Sequence, residues 1–255
     1  MYNNEETLLD LRLQTLSKYV RKFILVESEF DHQGNYKDKF FNIENFKKYK
    51  DKIISLKINN FPSNLKGSWE RENFQRDYLS KAIENLQDDD YIIISDADEI
   101  PNLSKIKNIE KNKFTAFKQS NYCYKFNMKN ITYPDWYGSK LCKKKYLKSP
   151  QWLRNQKVKN YSFLKFFKIK WNIINNGGWH FSFLMYPDEI KKKIKSFAHD
   201  EFNKTEYLNV DKIDKSIKQG LDLFNRNQKY TKVNLDKTFP KFIFDNKNKY
   251  KDWIL

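Results

Sequence analysis

The sequence predicts an α/β fold in its first half, and three observations carry that expectation. Short apolar runs stand at residues 22–28 ("KFILVES"), which ends in polar residues, 52–58 ("KIISLKI") and 91–95 ("YIIIS"). Strands buried on both faces of a parallel sheet read as such continuous runs. Segments with helical spacing separate them, giving the β-α-β-α-β alternation of a parallel sheet covered by helices. The chain's 255 residues are enough to bury a substantial core in one domain.

Each element follows from local pattern. In "EETLLDLRLQTLSKYV", Leu8, Leu9, Leu11, Leu13, Leu16 and Val20 sit near helical spacing, with Asn4 as cap. "NIENFKKYKD" suggests a short helix before the second strand. "SWERENFQRDYLSKAIENL" reads as a long helix capped by Ser68, with Phe74, Tyr78, Ala82 and Leu86 on one face. Beyond about residue 112 the pattern becomes mixed α+β. "FTAFKQSNYCYKFNMKN" looks like an antiparallel strand pair or a strand with a long return, "NGGWHFSFLM" like a turn feeding a strand, and "YPDEIKKKIKSFAH" like a helix opened by Pro187 and Asp188. No linker separates the halves, so 1–255 is expected to be one domain, with a ligand-binding α/β half (1–111) and an α+β half (112–255).

Composition bounds the function. The formal net charge is +17, part of it the Lys- and Asn-rich signature of an AT-rich coding sequence. The remainder suits phosphate, an anionic membrane surface or nucleic acid. Aromatic residues make up 17%, so the mean hydropathy of −0.88 does not indicate disorder. Cys123 and Cys142 belong to no metal-binding spacing and are expected to be free thiols. No run approaches the roughly 18 apolar residues of a membrane span, and no signal peptide pattern opens the chain. A cytoplasmic protein, soluble or peripheral, is the expectation.

The acidic segment "DDDYIIISDADEIP" stands out in so basic a chain. Asp88, Asp89 and Asp90 precede the strand and read as its lead-in turn. Asp96, Asp98 and Glu99 follow it, at the carboxyl edge where open α/β sheets collect ligands. In extended backbone, Asp96 and Asp98 would point the same way. Two carboxylates so placed call for a cation, and their oxygens suit Mg²⁺ or Mn²⁺ shared with substrate phosphates. Glu72 and Arg76 lie four apart on the preceding helix and share a face. Glu27 ends the first strand on the same edge as Asp96.

Taken in order, "YNNEETLLDLRL", "FILVES", "WERENFQR", "IIISDADEIP", "GGWHFSF" and "FAHDE" resemble the family 17 glycosyltransferases over nearly the whole chain. The family pattern carries a further strand just ahead of the segment matching "YNNEE", and Met1 stands almost at that segment. The resemblance implies a GT-A-like, Rossmann-type mixed sheet flanked by helices. It also implies a metal-bound UDP-sugar donor, most naturally UDP-GlcNAc, a carbohydrate or other hydroxyl acceptor, and transfer with inversion. On that basis Asp98, Asp96 and His180 are the expected metal ligands, with Asp96 alternatively on the ribose. Glu27, Glu72, Arg76, Arg154 and Trp179 are expected at the donor, while Lys143, Lys144 and Lys145 read first as a solvated face and only secondarily as cations for the diphosphate. An inverting transfer needs a base on the acceptor hydroxyl. Asp135, Asp188, Glu189 and Glu201 qualify by type, with Glu201 and Asp188 preferred. The competing class is a basic nucleic-acid-binding protein or metal-dependent nuclease, which the scattered lysines and the lack of a binding motif disfavour.

Overall fold

Leu8, Leu9, Leu11, Leu13 and Leu16 are all buried on helix α1, Glu6–Leu16, in a computed structural model that describes Tyr2, residues 5–158 and residues 169–255. A helix apolar on so many sides sits inside a core and not on its surface. The cap expected at Asn4 lies outside the described residues. Strands β1, Phe23–Ser28, and β2, Ile53–Ile58, pair in parallel from Phe23↔Ile53 to Ser28↔Ile58, as their apolar runs predict. Between them, Ile43–Lys52 forms 3₁₀ turns broken at Phe46, where a regular helix was the expectation.

Helix α2, Ser68–Asp77, is shorter than the pattern suggests and tightens into a 3₁₀ turn, Tyr78–Ala82. Gly67, not Ser68, holds the cap position, and Glu70 accepts from the backbone N–H groups of Gly67 and Lys66 at 3.1 and 2.7 Å. The Ser68 hydroxyl instead donates to Ala198 O at 3.0 Å and Asp200 Oδ2 at 2.9 Å, tying the helix start to a distant loop.

Strands β3, Tyr91–Ile94, and β4, Glu99–Pro101, flank the acidic turn. They are followed by β5, Phe114–Phe117, β6, Gln119–Cys123, β7, Met128–Asn130, β8, Asp135–Trp136, and β9, Lys140–Lys143. The single parallel sheet expected from the three apolar runs is not formed. β3 pairs antiparallel with β9 instead of lying beside β1. At the free edge of β1, Val26 O is already taken by Tyr2 N at 3.2 Å and by the Gln75 side chain at 3.3 Å. Asp90 closes the lead-in turn by accepting from Gln87 N, and Asp89 pairs with Lys143 and Lys145, so these residues are structural.

Helix α3, Pro150–Asn155, is capped by the Ser149 hydroxyl. Strands β10, Trp171–Ile174, and β11, Gly178–Ser182, complete two mixed sheets, of order β10-β5-β9-β3 and, once β12, Tyr230–Lys232, is added, β12-β7-β6-β11-β4 with β8 on β6. Within the stretch expected to hold an antiparallel pair, β6 and β7 do pair antiparallel, while β5 separates at Lys118 into the other sheet. Helices α4, Pro187–Ser196, and α5, Val210–Gln219, pack through Ile190, Ile194, Ile213 and Ile217, and α6, Lys241–Asp245, returns toward α1. Cys123 and Cys142 are buried and unbridged, as expected. Among the described residues, no helix is long and apolar enough to cross a membrane.

β11 joins the two halves, lying parallel to β6 and antiparallel to β4. Its first residue makes this possible. Gly178 has φ +130°, and a Cβ there would stand 2.1 Å from Ile100 O and 2.8 Å from Asn102 N. Both obstacles are backbone, so neither can yield cheaply. Gly178→Ala is expected to cost about 3 kcal/mol or more, a fall of roughly 6–12 °C in Tm for a domain of this size. Thermal denaturation checks it, and an unchanged midpoint would contradict this account of the β4–β11 junction.

Candidate active site

The acidic segment is not extended where it matters. The chain turns through Ala97 and Asp98, with Glu99 N bonded to Asp96 O at 3.1 Å and Glu99 Oε2 accepting from Asp96 N at 2.9 Å. Arg12 fixes this turn from beneath. From α1, half-buried among its leucines, it donates to Glu99 O at 2.5 Å, Asp96 O at 3.2 Å and the Ser95 hydroxyl at 2.6 Å. Asp96 and Asp98 therefore reach the same cavity but serve different partners, which corrects the side-by-side geometry expected from a strand.

Asp96 is gripped by two arginines, Arg154 at 2.8 Å on one oxygen and Arg76 at 3.1 Å on the other. Arg76 also binds Glu72 at 2.8 Å and the Gln151 side chain; Arg154 also binds the fully buried Glu99 at 2.8 Å. Burial alone would raise the Asp96 carboxyl, but Arg154 and Arg76 outweigh it and hold it far below the usual carboxylate range. Three carboxylates (Glu72, Asp96, Glu99) thus balance three guanidiniums (Arg12, Arg76, Arg154). Both Asp96 oxygens are thus paired with arginines, whereas the expectation has Asp96 beside Asp98 on an ion. Arg154 is backed by Lys140, which donates to its carbonyl; burial and the Arg154 charge lower the Lys140 pKa to about 8.

Asp98 stands apart from this network and faces His180, whose Nε2 lies 3.7 Å from Asp98 Oδ2. The register places His180 opposite Glu99, and Phe181 N bonds Asp98 O at 2.9 Å, so β11 sets both groups. The imidazole's orientation follows from its neighbours. Asn121 donates through Nδ2 to Tyr133 O at 3.0 Å, leaving Oδ1 to face His180 Nδ1 at 3.0 Å. Nδ1 therefore donates to Asn121, and Nε2 is the nitrogen that faces Asp98. Trp136 stacks on the ring at 4.4 Å and 15°, and its Nε1 donates to Glu99 Oε1 at 2.7 Å. Gly138 permits that contact, since a Cβ there would fall 1.7 Å from Glu99 Oε1.

A carboxylate oxygen and an imidazole nitrogen facing each other across 3.7 Å are ligand types that fit Mn²⁺ or Mg²⁺. Asp98 and His180 are two groups able to ligate; among the described residues no group of three or more His, Cys, Asp or Glu gathers to hold a metal. Such an ion takes the rest of its shell from phosphate and water.

These groups line a cleft of 840 Å³, and a smaller pocket of 190 Å³ shares several of its residues. Glu72, Arg76, Asp96, Asp98 and Lys193 line both; Phe30 and His32, after β1, wall the smaller one. Lys193 on α4 pairs with Glu5 at 3.2 Å, and although burial would lower its pKa, Glu5 and Asp98 raise it above the ordinary value.

Of the other sequence candidates, Arg76, Glu72 and Arg154 do line the cleft. Glu27 does not: buried, it accepts from Phe41 N and pairs with Lys37 at 3.2 Å. Trp179 is a core residue, one position from His180 and so on the other face of β11, with Nε1 donating to Thr238 O at 3.0 Å. Asp188 is exposed in the first turn of α4, and Glu201 lies on the surface paired with His199 at 2.8 Å. Neither lines either cavity, whereas His199 lines both. Lys143 and Lys145 are held by Asp89, and Lys144 donates to the carbonyls of Glu84 and Leu86. Arg12, Asn121, Trp136 and Lys193 escaped sequence reasoning, and His199 drew notice only as the neighbour of Glu201 in "FAHDE". Of the first four, only Arg12 left a signal, as the one cation amid five buried leucines.

The profile of Glycosyltransferase family 17 matches residues 1–251. The chain belongs to glycosyltransferase family 17. Over 108 residues this family 17 protein is 32% identical to the human enzyme described as beta-1,4-mannosyl-glycoprotein 4-beta-N-acetylglucosaminyltransferase, and 32% and 31% identical to the rat and mouse enzymes of that description. The match covers 39% of this chain and 20% of each relative, so the chain spans about a fifth of their length. No solved structure matches it.

Because Arg76 is 4% exposed, removing the charge of Asp96 leaves buried cations unpaired. Asp96→Asn is expected to destabilise the family 17 protein by about 3 kcal/mol, measured by denaturant unfolding. A loss under about 1 kcal/mol, the worth of a surface pair, would contradict the structural role of Asp96.

Proposed function

We propose that this family 17 protein is an inverting, metal-dependent glycosyltransferase of GT-A type. It moves a sugar, N-acetylglucosamine in the first instance, from a UDP-sugar to a carbohydrate hydroxyl. The carrying observation is the Asp98–His180 pair, its imidazole oriented by Asn121, lining the larger of two cavities that share Asp98. The names of the mammalian relatives support the choice of sugar.

Asp98 and His180 would hold a divalent ion that, when bound, supplies Lewis-acid neutralisation of the diphosphate leaving group. The smaller pocket, walled by Phe30 and His32, has an aromatic face for the nucleotide base, and Lys193 brings a fixed positive charge to the phosphates. The larger cleft takes the transferred sugar and the acceptor. Trp69 and Tyr133, exposed at its rim, present the flat apolar faces on which pyranose rings pack. Asp96, locked by Arg76 and Arg154, shapes the turn that aims Asp98. A nucleic-acid partner is not part of this reading, because the cleft floor balances its charges instead of presenting a run of cations.

The reading is tested by thermal shift with Mn²⁺ and UDP together and separately, on wild type and Asp98→Ala. Wild type is expected to rise in Tm by several degrees only with both ligands present. Asp98→Ala is expected to fold with a midpoint near wild type, lose that rise, and lose turnover of UDP-GlcNAc. Wild type indifferent to the pair, or full turnover in Asp98→Ala, would overturn it.

A further inference from the structure

An inverting transfer requires a group that removes the acceptor's proton, and the structure narrows the choice. Among the carboxylates lining the larger cleft, Glu72 is paired with Arg76, Asp96 with Arg76 and Arg154, Glu99 with Arg154, and Asp135 with Lys118 at 2.7 Å. A carboxylate held by a cation is a weakened base. Asp98 faces His180 at the proposed ion site.

His199 differs from all of these. Its Nδ1 faces Glu201 Oε1 at 2.8 Å, so the carboxylate accepts the Nδ1 proton and Nε2 is left as the basic nitrogen. Among the described residues no hydrogen bond to Nε2 occurs, and the ring lines both cavities. Its placement is built from several sides. The Trp69 ring meets it edge to face at 4.6 Å, and Phe197 and Phe202 lie at 5.4 and 5.7 Å. The loop that carries it is tied to α2 through the Ser68 hydroxyl on Ala198 O and Asp200, and to Gln33 through Asp200. A carboxylate that fixes the tautomer of an imidazole whose other nitrogen faces the substrate space is the arrangement of a general base and its orienting partner.

We infer that His199 is the general base of the transfer and Glu201 its positioning residue, an assignment that rests on the transferase reading above. His199 Nε2 takes the proton of the acceptor hydroxyl as its oxygen bonds the anomeric carbon. The bond from that carbon to the diphosphate oxygen breaks, its electron pair leaving with UDP. The imidazolium, held against Glu201, then returns its proton to solvent.

The test uses UDP-GlcNAc turnover, counting both hydrolysis by water and transfer to a mannosyl glycopeptide. It is run beside the Mn²⁺–UDP thermal shift. His199→Gln and His199→Gly are expected to keep the thermal shift while kcat falls on the order of 10²–10⁴-fold. Added imidazole is expected to restore part of the loss in His199→Gly alone. Glu201→Gln is expected to lower kcat with the donor KM unchanged, and Glu201→Asp to recover it. Wild-type turnover in His199→Gln, or a loss in His199→Gly that imidazole leaves untouched, would overturn the base assignment. Equal kcat in Glu201→Gln and wild type would overturn the positioning role. A wild type that neither binds UDP nor turns over UDP-GlcNAc would instead sink the transferase reading itself.

Discussion

Arg76 and Arg154 close on the two oxygens of Asp96, and the rest of the site is arranged around that contact. A buried carboxylate needs compensation, and two buried arginines need it equally. The residues come from three places far apart in sequence, α2, the turn after β3 and α3, so the charge pairing also pins those elements together. Arg12 completes the arrangement from inside the core by binding the carbonyls of the same turn. Such a network is costly to bury and costlier to break, which ties the geometry of the acidic turn to the integrity of the domain.

One consequence is a division of labour between two aspartates separated by a single residue. Asp96 is committed to structure, while Asp98, carried past Ala97 by the turn, keeps its carboxylate for His180 and the cavity. His180 reaches it because Gly178 lets β11 run tightly against β4, and Trp136 and Asn121 then set the ring's plane and tautomer. The same strand sends Trp179 into the core, so one residue of register separates a packing role from a site role.

Local pattern made much of this legible. The parallel pairing of β1 and β2, the helices α1 and α4, the glycine-led β11 and the strand-end position of Asp96 and Asp98 all follow from periodicity and turn chemistry. The partner of β3 did not, because an apolar run specifies burial and not its neighbour; β9 contributes it from some 50 residues away. Nor could spacing reveal that Asp96 would be neutralised, since Arg154 reaches it only once α3 is packed. Glu201 and His199 are adjacent in pattern but opposite in exposure to the cleft, a distinction made by the tie from Ser68. Lys193 was hidden by composition, one lysine in a run of three.

The central claim is that Asp98 and His180, and not Asp96, face the ion and the diphosphate. Anomalous diffraction at the manganese edge, from crystals grown with Mn²⁺ and UDP, examines it most directly. The account predicts a peak between the Asp98 carboxylate and His180 Nε2, with Asp96 still held by Arg76 and Arg154. A peak on the Asp96 oxygens, with those two arginines swung away, would contradict it.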